Sequence, residues 1–277
     1  MRITRRLFGA AIGAAMAAGI ALPAAAQSAS QALTAESVIT QIQEEGVIRI
    51  GLSLFVPWSM RDVNGELIGF ELDVGRQLAE DMGVEVEFVP TAWDGIIPSL
   101  LAGNFDVIIS GMSVTAQRNL SVNFSDPYAF SGLAVLANTE LTEGMSLEDM
   151  NSPDVTFAAR RGATPAAVIA EKFPEAQLLL FDEDGASTQE VLNGNAHASM
   201  SAQPGPDQDA ARNPGVVYVM GDQLFDARGE GFALRRGDPD ALNFFNNWIA
   251  QQWRSGWLEE RHDYWFVGDD WSDQVAQ

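Results

Sequence analysis

Apolar runs typical of buried strands alternate with helical segments from residue 36 onward, and this alternation constrains the fold more than any other feature of the chain. Strand-like runs occupy residues 47–51, 84–89 and 107–110, and helical patterns fill residues 70–82 and 93–102 between them. Connections of this length carry the chain over to a parallel neighbouring strand, and such crossovers are right-handed. The sequence therefore predicts an α/β fold built on a parallel sheet.

A second set of strands and helices follows an extended run at residues 132–137. Its predicted strands are 155–158, 177–181 and 196–200, and its predicted helices are 165–172 and 187–192. A turn-rich stretch at 221–230, a strand at 231–234 and a helix at 240–255 complete the pattern.

Two such sets in one chain exceed the usual size of a single domain and indicate two lobes. The helix-rich C-terminal segment indicates that the chain returns to the first lobe after a second crossing. We therefore expect a first lobe from residues 36–128 and 231–271, a second lobe from residues 133–224, and two hinge crossings at about 128–132 and 225–230.

The N-terminal segment has the organisation of a secretory signal peptide, residues 1–26. Arg2, Arg5 and Arg6 precede an apolar run rich in Ala and Gly, and small residues lead up to Ala26. The run is too short and too rich in Ala and Gly for a membrane span, which needs ~20 strongly apolar residues. We therefore expect a signal peptide that is cleaved after Ala26. Residues 4–8 also resemble the twin-arginine export motif, and both export routes stay open.

Composition narrows the partners of the exported chain. The full sequence contains 38 Asp and Glu against 16 Lys and Arg, a net charge of −22, and no Cys. An acidic surface releases no counterions from nucleic acid or anionic lipid, so neither is an expected partner. The lack of Cys excludes disulfides and a thiol nucleophile, and no metal-ligand spacing or phosphate loop is present. We expect no metal and no cofactor.

The segment 111–118 follows the buried run 106–110 and ends on Arg118. Open α/β sheets bind ligands at the carboxyl ends of their strands, and a guanidinium holds a planar carboxylate through two parallel hydrogen bonds. Ser113 and Thr115 add hydroxyl donors. The segment indicates a carboxylate receptor, and the alternative is a surface arginine after a strand-to-helix turn.

Five motifs occur in the order and spacing of a known family. They are residues 55–58 (FVPW), 69–73 (GFELD), 93–100 (WDGIIPSL), 111–118 (GMSVTAQR) and 124–128 (FSDPY), and a closing motif lies at 263–266 (DYWF). From about residue 47 to residue 266 the chain resembles the family-3 periplasmic solute-binding proteins, the polar amino-acid receptors of ABC importers. The resemblance implies a two-lobed, type II periplasmic-binding-protein-like fold that closes on a small solute and delivers it to a membrane permease.

The resemblance also implies roles for residues of the first lobe. Arg118 would bind the carboxylate of the ligand, assisted by Ser113 and by the backbone of Ser110 and Gly111.

The aromatic walls that the resemblance implies are Phe55 and Trp93, with Trp58 behind or beside them. For Trp93 the alternative is a place in the core, because buried aromatic rings are commonly core residues. This alternative is weaker for Phe55, which lies on a proline-containing loop at a strand end.

In the second lobe, the turn at residues 160–164 occupies the place from which family members supply a hydroxyl and backbone amides to the carboxylate. Thr164 and the amide of Ala163 fit that role, because a helix N-terminus favours anions. Arg160 and Arg161 add positive charge near the cleft. The interpretation preferred from sequence is that both are solvated and balance an acidic lobe.

One departure from the family pattern concerns the ammonium group of the ligand. Family members present an Asp after the strand aligned to residues 196–200, and Ala202 stands there in this chain. An unpaired buried ammonium is costly, so a normal α-amino acid would bind poorly unless Asp207 or Asp209 substitutes. A methylated ammonium or cyclic amidine held on the rings by cation–π contact, or a carboxylate without a cation, also fits.

Two other functions stay open from sequence. Some relatives with this fold are dehydratases or domains of lytic enzymes, but such chemistry needs a positioned acid or base. His197 lies in a predicted strand and His262 in a helical tail, and we expect the first to be structural and the second to lie at the surface. The other alternative is a ligand-poor accessory protein for an oxidoreductase or a sensor. We predict a monomeric, non-enzymatic periplasmic receptor that serves an ABC permease.

Overall fold

Eleven strands and nine α-helices make up residues 37–275, the part of the chain that the computed structural model describes. The predicted signal peptide lies outside the described residues. The strands are β1 (Val47–Leu52), β2 (Met60–Arg61), β3 (Leu67–Ile68), β4 (Glu85–Pro90), β5 (Val107–Ile108), β6 (Asn123–Asn138), β7 (Thr156–Arg160), β8 (Gln177–Phe181), β9 (Ala198–Ala202), β10 (Val217–Val219) and β11 (Phe225–Leu234). The helices are Val38–Glu45, Phe70–Met82, Trp93–Leu101, Ala116–Asn119, Thr164–Lys172, Asp184–Leu192, Gly205–Arg212, Pro239–Ser255 and Trp257–His262.

One sheet connects both halves of the described chain, in the order β4-β1-β5-β11-β6-β9-β7-β8, with β10 on β6. β1 pairs in parallel with β4 and β5, and β7 pairs in parallel with β8 and β9. β11 and β6 lie between these groups and pair antiparallel with each other. Each parallel group, with its covering helices, is one lobe. The predicted α/β fold is confirmed.

The two long strands β6 and β11 carry the chain between the lobes. They pair from Phe225 opposite Leu133 to Leu234 opposite Asn123, with several register shifts. The prediction of a turn-rich crossing at 221–230 is wrong from Phe225 onward, because pairing along β6 satisfies the backbone groups of a sequence with poor strand propensity. The predicted hinge segments, 128–132 and 225–230, lie within these strands, and the hinge and lobe bounds stay predictions.

Each lobe has its own apolar core. In the first, Ile50 of β1 and Phe70 pack in one cluster with Phe245 of the C-terminal helix. In the second, Phe157 of β7 packs with Met200 of β9. The C-terminal helix therefore completes the first core although the second lobe precedes it in the chain.

Local geometry fixes where two helices begin. Gly69 precedes the helix Phe70–Met82 at φ +133°, and a Cβ there would lie 2.4 Å from the carbonyl oxygen of Trp58, so only glycine fits. Asp238 caps the helix Pro239–Ser255 through the amide of Ala241 and also accepts from the amide of Val38 at 2.7 Å. One carboxylate thus stabilises the first turns of two helices from opposite ends of the chain.

Sequence patterns did not indicate the helix Gly205–Arg212 or the short strand β10. The helix begins with Gly and Pro, residues that are typical of loops, although Pro is favourable at the start of a helix. Between residues 37 and 275, no helix has both the length and the apolar character to cross a membrane.

Candidate functional site

The carboxyl ends of strands from both lobes face a cleft. The loop after β1 brings Phe55 to it, the loop after β5 brings Gly111 and Ser113, and the turn after β7 brings Ala163 and Thr164. Together they enclose an inner cavity of about 40 Å³. An outer cavity of about 560 Å³ shares Phe55 with it. A cavity of this size holds only a few water molecules.

Seven of the ten predicted site residues line the inner cavity, and three do not. Those that line it are Phe55, Trp93, Gly111, Ser113, Ala163, Thr164 and Ala202. Arg118 lies beside it, and Trp58 and Ser110 lie behind its wall. The structure therefore brings residues from five separate loops and turns to one place.

Arg118 is partly buried at the edge of the cavity. Its Nη1 donates to the carbonyl oxygen of Ser113 at 3.0 Å, and its Nη2 lies 3.5 Å from the carbonyl oxygen of Gly162. None of the ion pairs among residues 37–275 includes it. Burial, with a smaller contribution from the charge of Arg228, lowers the pKa of Arg118 to about 10. The guanidinium stays charged at neutral pH and has no carboxylate partner in the described chain.

Trp93 joins the two lobes across the cleft. Its Nε1 donates to the carbonyl oxygen of Gly162 at 3.2 Å. The guanidinium carbons of Arg118 and Arg160 lie 5.3 and 5.2 Å from its ring centroid. Both distances are within the range of cation–π contact. One indole from the first lobe therefore contacts an arginine from each lobe.

Arg160 differs from the prediction that it is solvated. It is 4% exposed, lines the inner cavity, and donates from Nη2 to the hydroxyl of Ser53 and from Nε to the carbonyl oxygen of Asp182. It is the last residue of β7, so its side chain points into the cleft. Arg161, one position on, fits the prediction: it is half-exposed and pairs with Asp182 at 3.0 Å.

Asp184 is a cleft carboxylate that sequence reasoning missed. It begins the helix Asp184–Leu192 after β8, lines both cavities, and accepts weakly from the hydroxyl of Ser201 at 3.4 Å. Burial raises its pKa, while the charge of Arg160 opposes that shift. Neither Asp207 nor Asp209 lines the inner cavity. The available signal was an acidic run, residues 182–184, directly after a predicted strand.

Trp58 and Ser110 are structural supports. Trp58 is 1% exposed and stacks behind Phe55 with ring centroids 5.5 Å apart. The hydroxyl of Ser110 accepts from the amide of Ser53 at 2.8 Å, which ties the loops after β5 and β1 together. Both residues position the cavity wall, because their own polar or aromatic groups face the protein interior.

Two backbone amides predicted as ligand donors are already engaged. The amide of Gly111 donates to Glu71 Oε1 at 2.6 Å and to the hydroxyl of Tyr128 at 2.9 Å. The amide of Ala163 donates to the carbonyl oxygen of Arg160 at 3.3 Å. Thr164, by contrast, lines the cavity, and its amide and hydroxyl have no hydrogen-bond partner among residues 37–275.

A buried acidic pair supports the floor of the site and the crossing strands. Glu71 is fully buried, and the hydroxyl of Tyr128 donates to it at 2.7 Å. Burial raises the pKa of Glu71 to about 8. Glu230 of β11 accepts from the hydroxyl of Ser131 at 2.6 Å, and burial raises its pKa to about 7. Burial thus disfavours the ionised carboxylate in both places.

A two-lobed α/β chain with a charged, ring-walled cleft between its lobes belongs to the class of solute-binding proteins with the type II fold. The family model of the bacterial extracellular solute-binding proteins, family 3, matches residues 48–268. The chain therefore belongs to that family.

Individual relatives span most of the chain. It is 27% identical over 237 residues to the L-cystine-binding protein TcyJ of Escherichia coli K12, covering 84% of this chain and 88% of the relative. It is 27% identical over 240 residues to the cyclohexadienyl dehydratase of Pseudomonas aeruginosa, covering 86% and 89%. A lysine-bound putative ABC transporter binding component from Wolinella succinogenes is 35% identical, with a TM-score of 0.78 over 82% of this chain and 99% of that one. The relatives of this chain thus include proteins named as binding proteins and one named as a dehydratase.

Proposed function

We propose that this chain captures a small carboxylate-bearing solute, an amino acid or a derivative of one, by lobe closure and delivers it to an ABC permease. The observation that carries the proposal is the Arg118 guanidinium, which lies at the edge of the cleft with no carboxylate partner among residues 37–275. A partly desolvated cation of this kind gains most from an anion that enters the cleft. The unpartnered Thr164 amide and hydroxyl, at a helix N-terminus, supply further donors from the facing lobe.

The proposed lobe closure is based on the positions of Arg118 and Thr164 in different lobes. Arg118 belongs to the first lobe and Thr164 to the second, so a carboxylate meets both only when the cleft is shut. The differential affinity for the closed form shifts the equilibrium toward it. The closed lobes then present a composite surface to the permease.

The location, the oligomeric state and the partners of the proposed receptor are inferred from the sequence and the relatives. Residues 1–26 direct export to the periplasm and are removed after Ala26. The exported chain acts as a monomer, and its net negative charge disfavours nucleic acid as a partner. Relatives named as binding proteins, among them the L-cystine-binding protein TcyJ, support a transport role over an enzymatic one.

A thermal-shift screen of the exported protein against carboxylated solutes tests the proposal. Stabilisation by such a solute, lost in Arg118→Ala, is the expected result. The relative named cyclohexadienyl dehydratase makes turnover the second measurement, since consumption of the stabilising solute would identify an enzyme. If no carboxylate in a broad panel raises the melting temperature, the result would contradict the receptor function and favour an accessory role.

A further inference from the structure

Arg160 is a buried cation that the proposed function does not yet use. Its guanidinium lines the inner cavity, and only two of its three nitrogens have hydrogen-bond partners: Nε donates to Asp182 and Nη2 to Ser53. Nη1 has no partner among residues 37–275. The residue is 4% exposed, and its guanidinium keeps free N–H groups beside a cavity. These groups are suited to donate hydrogen bonds to an anion in the cavity.

The carboxylates around Arg160 do not neutralise it by direct contact. Burial lowers the pKa of Arg160, and the charges of three carboxylates, those of Asp184, Glu183 and Asp94, oppose that shift only in part. No ion pair within 4.0 Å joins Arg160 to any carboxylate between residues 37 and 275. Glu183 and Asp94 are exposed, so water screens their charges. Asp184 is the one carboxylate of the described chain that lines the inner cavity.

The charges at the inner cavity therefore leave an excess of positive charge. Arg118 and Arg160 contribute two guanidiniums, and Asp184 contributes one carboxylate. A solute with a cationic side chain would be repelled by Arg160 wherever that side chain comes near it. A solute with a second acidic group would instead find a partner there.

We infer that Arg160 is a second anion anchor, and that the ligand of this chain carries a second acidic group besides the carboxylate assigned to Arg118. The inference rests on the proposed function and narrows its ligand to small diacids and dicarboxylic amino-acid derivatives. Ala202 agrees with it, because the position offers no charge to a primary ammonium. Asp184 is then the group that faces an amine, if the solute has one.

The two guanidiniums stand at a separation that one small molecule spans. Each lies within 5.3 Å of the centroid of the same Trp93 ring, so they are no farther apart than twice that distance. A four- to six-carbon diacid is long enough to contact both guanidiniums. Phe55 covers the cavity from the side of the first lobe.

Pairs of ligands that differ by one charge test the role of Arg160 as a second anion anchor. Titration calorimetry on the exported protein compares succinate, glutarate and adipate with their half-amides, and L-glutamate with L-glutamine, so that the second carboxylate and the amine vary separately. L-lysine and L-arginine serve as cationic probes. We expect a preference of at least about 30-fold for the diacid in one pair or more, and no detectable binding of the cationic probes.

Variants of adjacent arginines assign the preference to one residue. Arg160→Gln should remove most of the diacid preference, and Arg160→Lys should retain part of it. Arg161→Gln is the matched control, since that half-exposed neighbour pairs with Asp182 outside the cavity. Because the readout is a ratio of affinities within one variant, partial loss of folded protein does not imitate it, and thermal melting checks the fold of each variant.

The outcomes separate this inference from the proposed function. Tighter binding of half-amides or of L-lysine, or a diacid preference unchanged in Arg160→Gln, overturns the second anchor and leaves the carboxylate receptor standing. Absence of binding for every diacid also overturns it. If no monocarboxylate binds either, the proposed function falls as well.

Discussion

Replacing Arg118 with methionine should strongly weaken ligand binding while leaving the stability of the ligand-free protein nearly unchanged. Methionine keeps an unbranched apolar stem against Trp93 but has no charge. The loss of the hydrogen bond to the Ser113 carbonyl costs about 1.5 to 3 kcal/mol, because the donor is charged. The loss of the cation–π contact adds on the order of 1 kcal/mol.

Relief of desolvation offsets these losses. Burial lowers the pKa of Arg118 to about 10, well below the ordinary value of a guanidinium, which corresponds to on the order of 3 kcal/mol of unfavourable free energy for the charged form. The net change in the free energy of unfolding is then within about 2 kcal/mol of zero. Binding, by contrast, should weaken by about 2 to 5 kcal/mol, since a bound carboxylate is left without its partner.

Urea unfolding and titration calorimetry measure the two quantities on the same preparation. Arg236→Met is the matched control, because Arg236 also donates to a backbone carbonyl, that of Leu120, at an exposed place away from the cleft. Unchanged affinity in Arg118→Met would refute the assignment of the carboxylate to Arg118. A large loss of stability with normal binding would show that Arg118 is a structural residue.

Three further predictions concern the floor of the site, the missing acid and a helix start. The raised pKa values of Glu71 and Glu230, about 8 and about 7, mean that the folded protein binds more protons than the unfolded chain above pH 4.5, so stability should fall as pH rises from 5 through 8. Urea unfolding across that range should show a flatter slope in Glu71→Gln, and an unchanged slope would contradict the buried protonated carboxyl. Ala202→Asp should raise the affinity for primary α-amino acids at least about tenfold, as measured by calorimetry, because it supplies a partner for the ammonium; no gain would argue against the alignment at this position. Gly69→Ala should cost about 2 kcal/mol or more in urea unfolding, because its Cβ meets the Trp58 backbone, and a smaller loss would mean that the loop relaxes.

Sequence patterns predicted the elements whose periodicity reflects burial on one side. The helix Phe70–Met82 and the strand β8 (Gln177–Phe181) have the predicted bounds. The second part of the crossing strand β11 was predicted at residues 231–234, but residues 225–230 were not, because their glycine and charged residues have low strand propensity and the stabilising partner, β6, lies about a hundred residues earlier in the chain. Pairing between distant segments leaves no local signal.

At the candidate site, too, the sequence predicted some residues but could not distinguish others. Arg118 and Trp93 stood out because motifs surround them, and the structure places both at the cleft. Arg160 and Arg161 look alike in the sequence, but one is buried in the cleft and the other pairs with Asp182 at the surface. The end of β7 decides between them, since successive side chains point to opposite faces. Local sequence does not fix a strand end to one residue.

The contacts that Trp93 and Arg160 make across the cleft have a consequence for how this protein could change its affinity over evolutionary time. Trp93 holds Gly162, and Arg160 holds Ser53, through bonds that the polypeptide makes with itself. Apparent affinity scales with the fraction of molecules already in the competent conformation. A substitution at Ser53 that weakens this contact but leaves Arg160 in place would weaken capture of every solute alike, whereas one that displaces Arg160 would also change which solute is preferred.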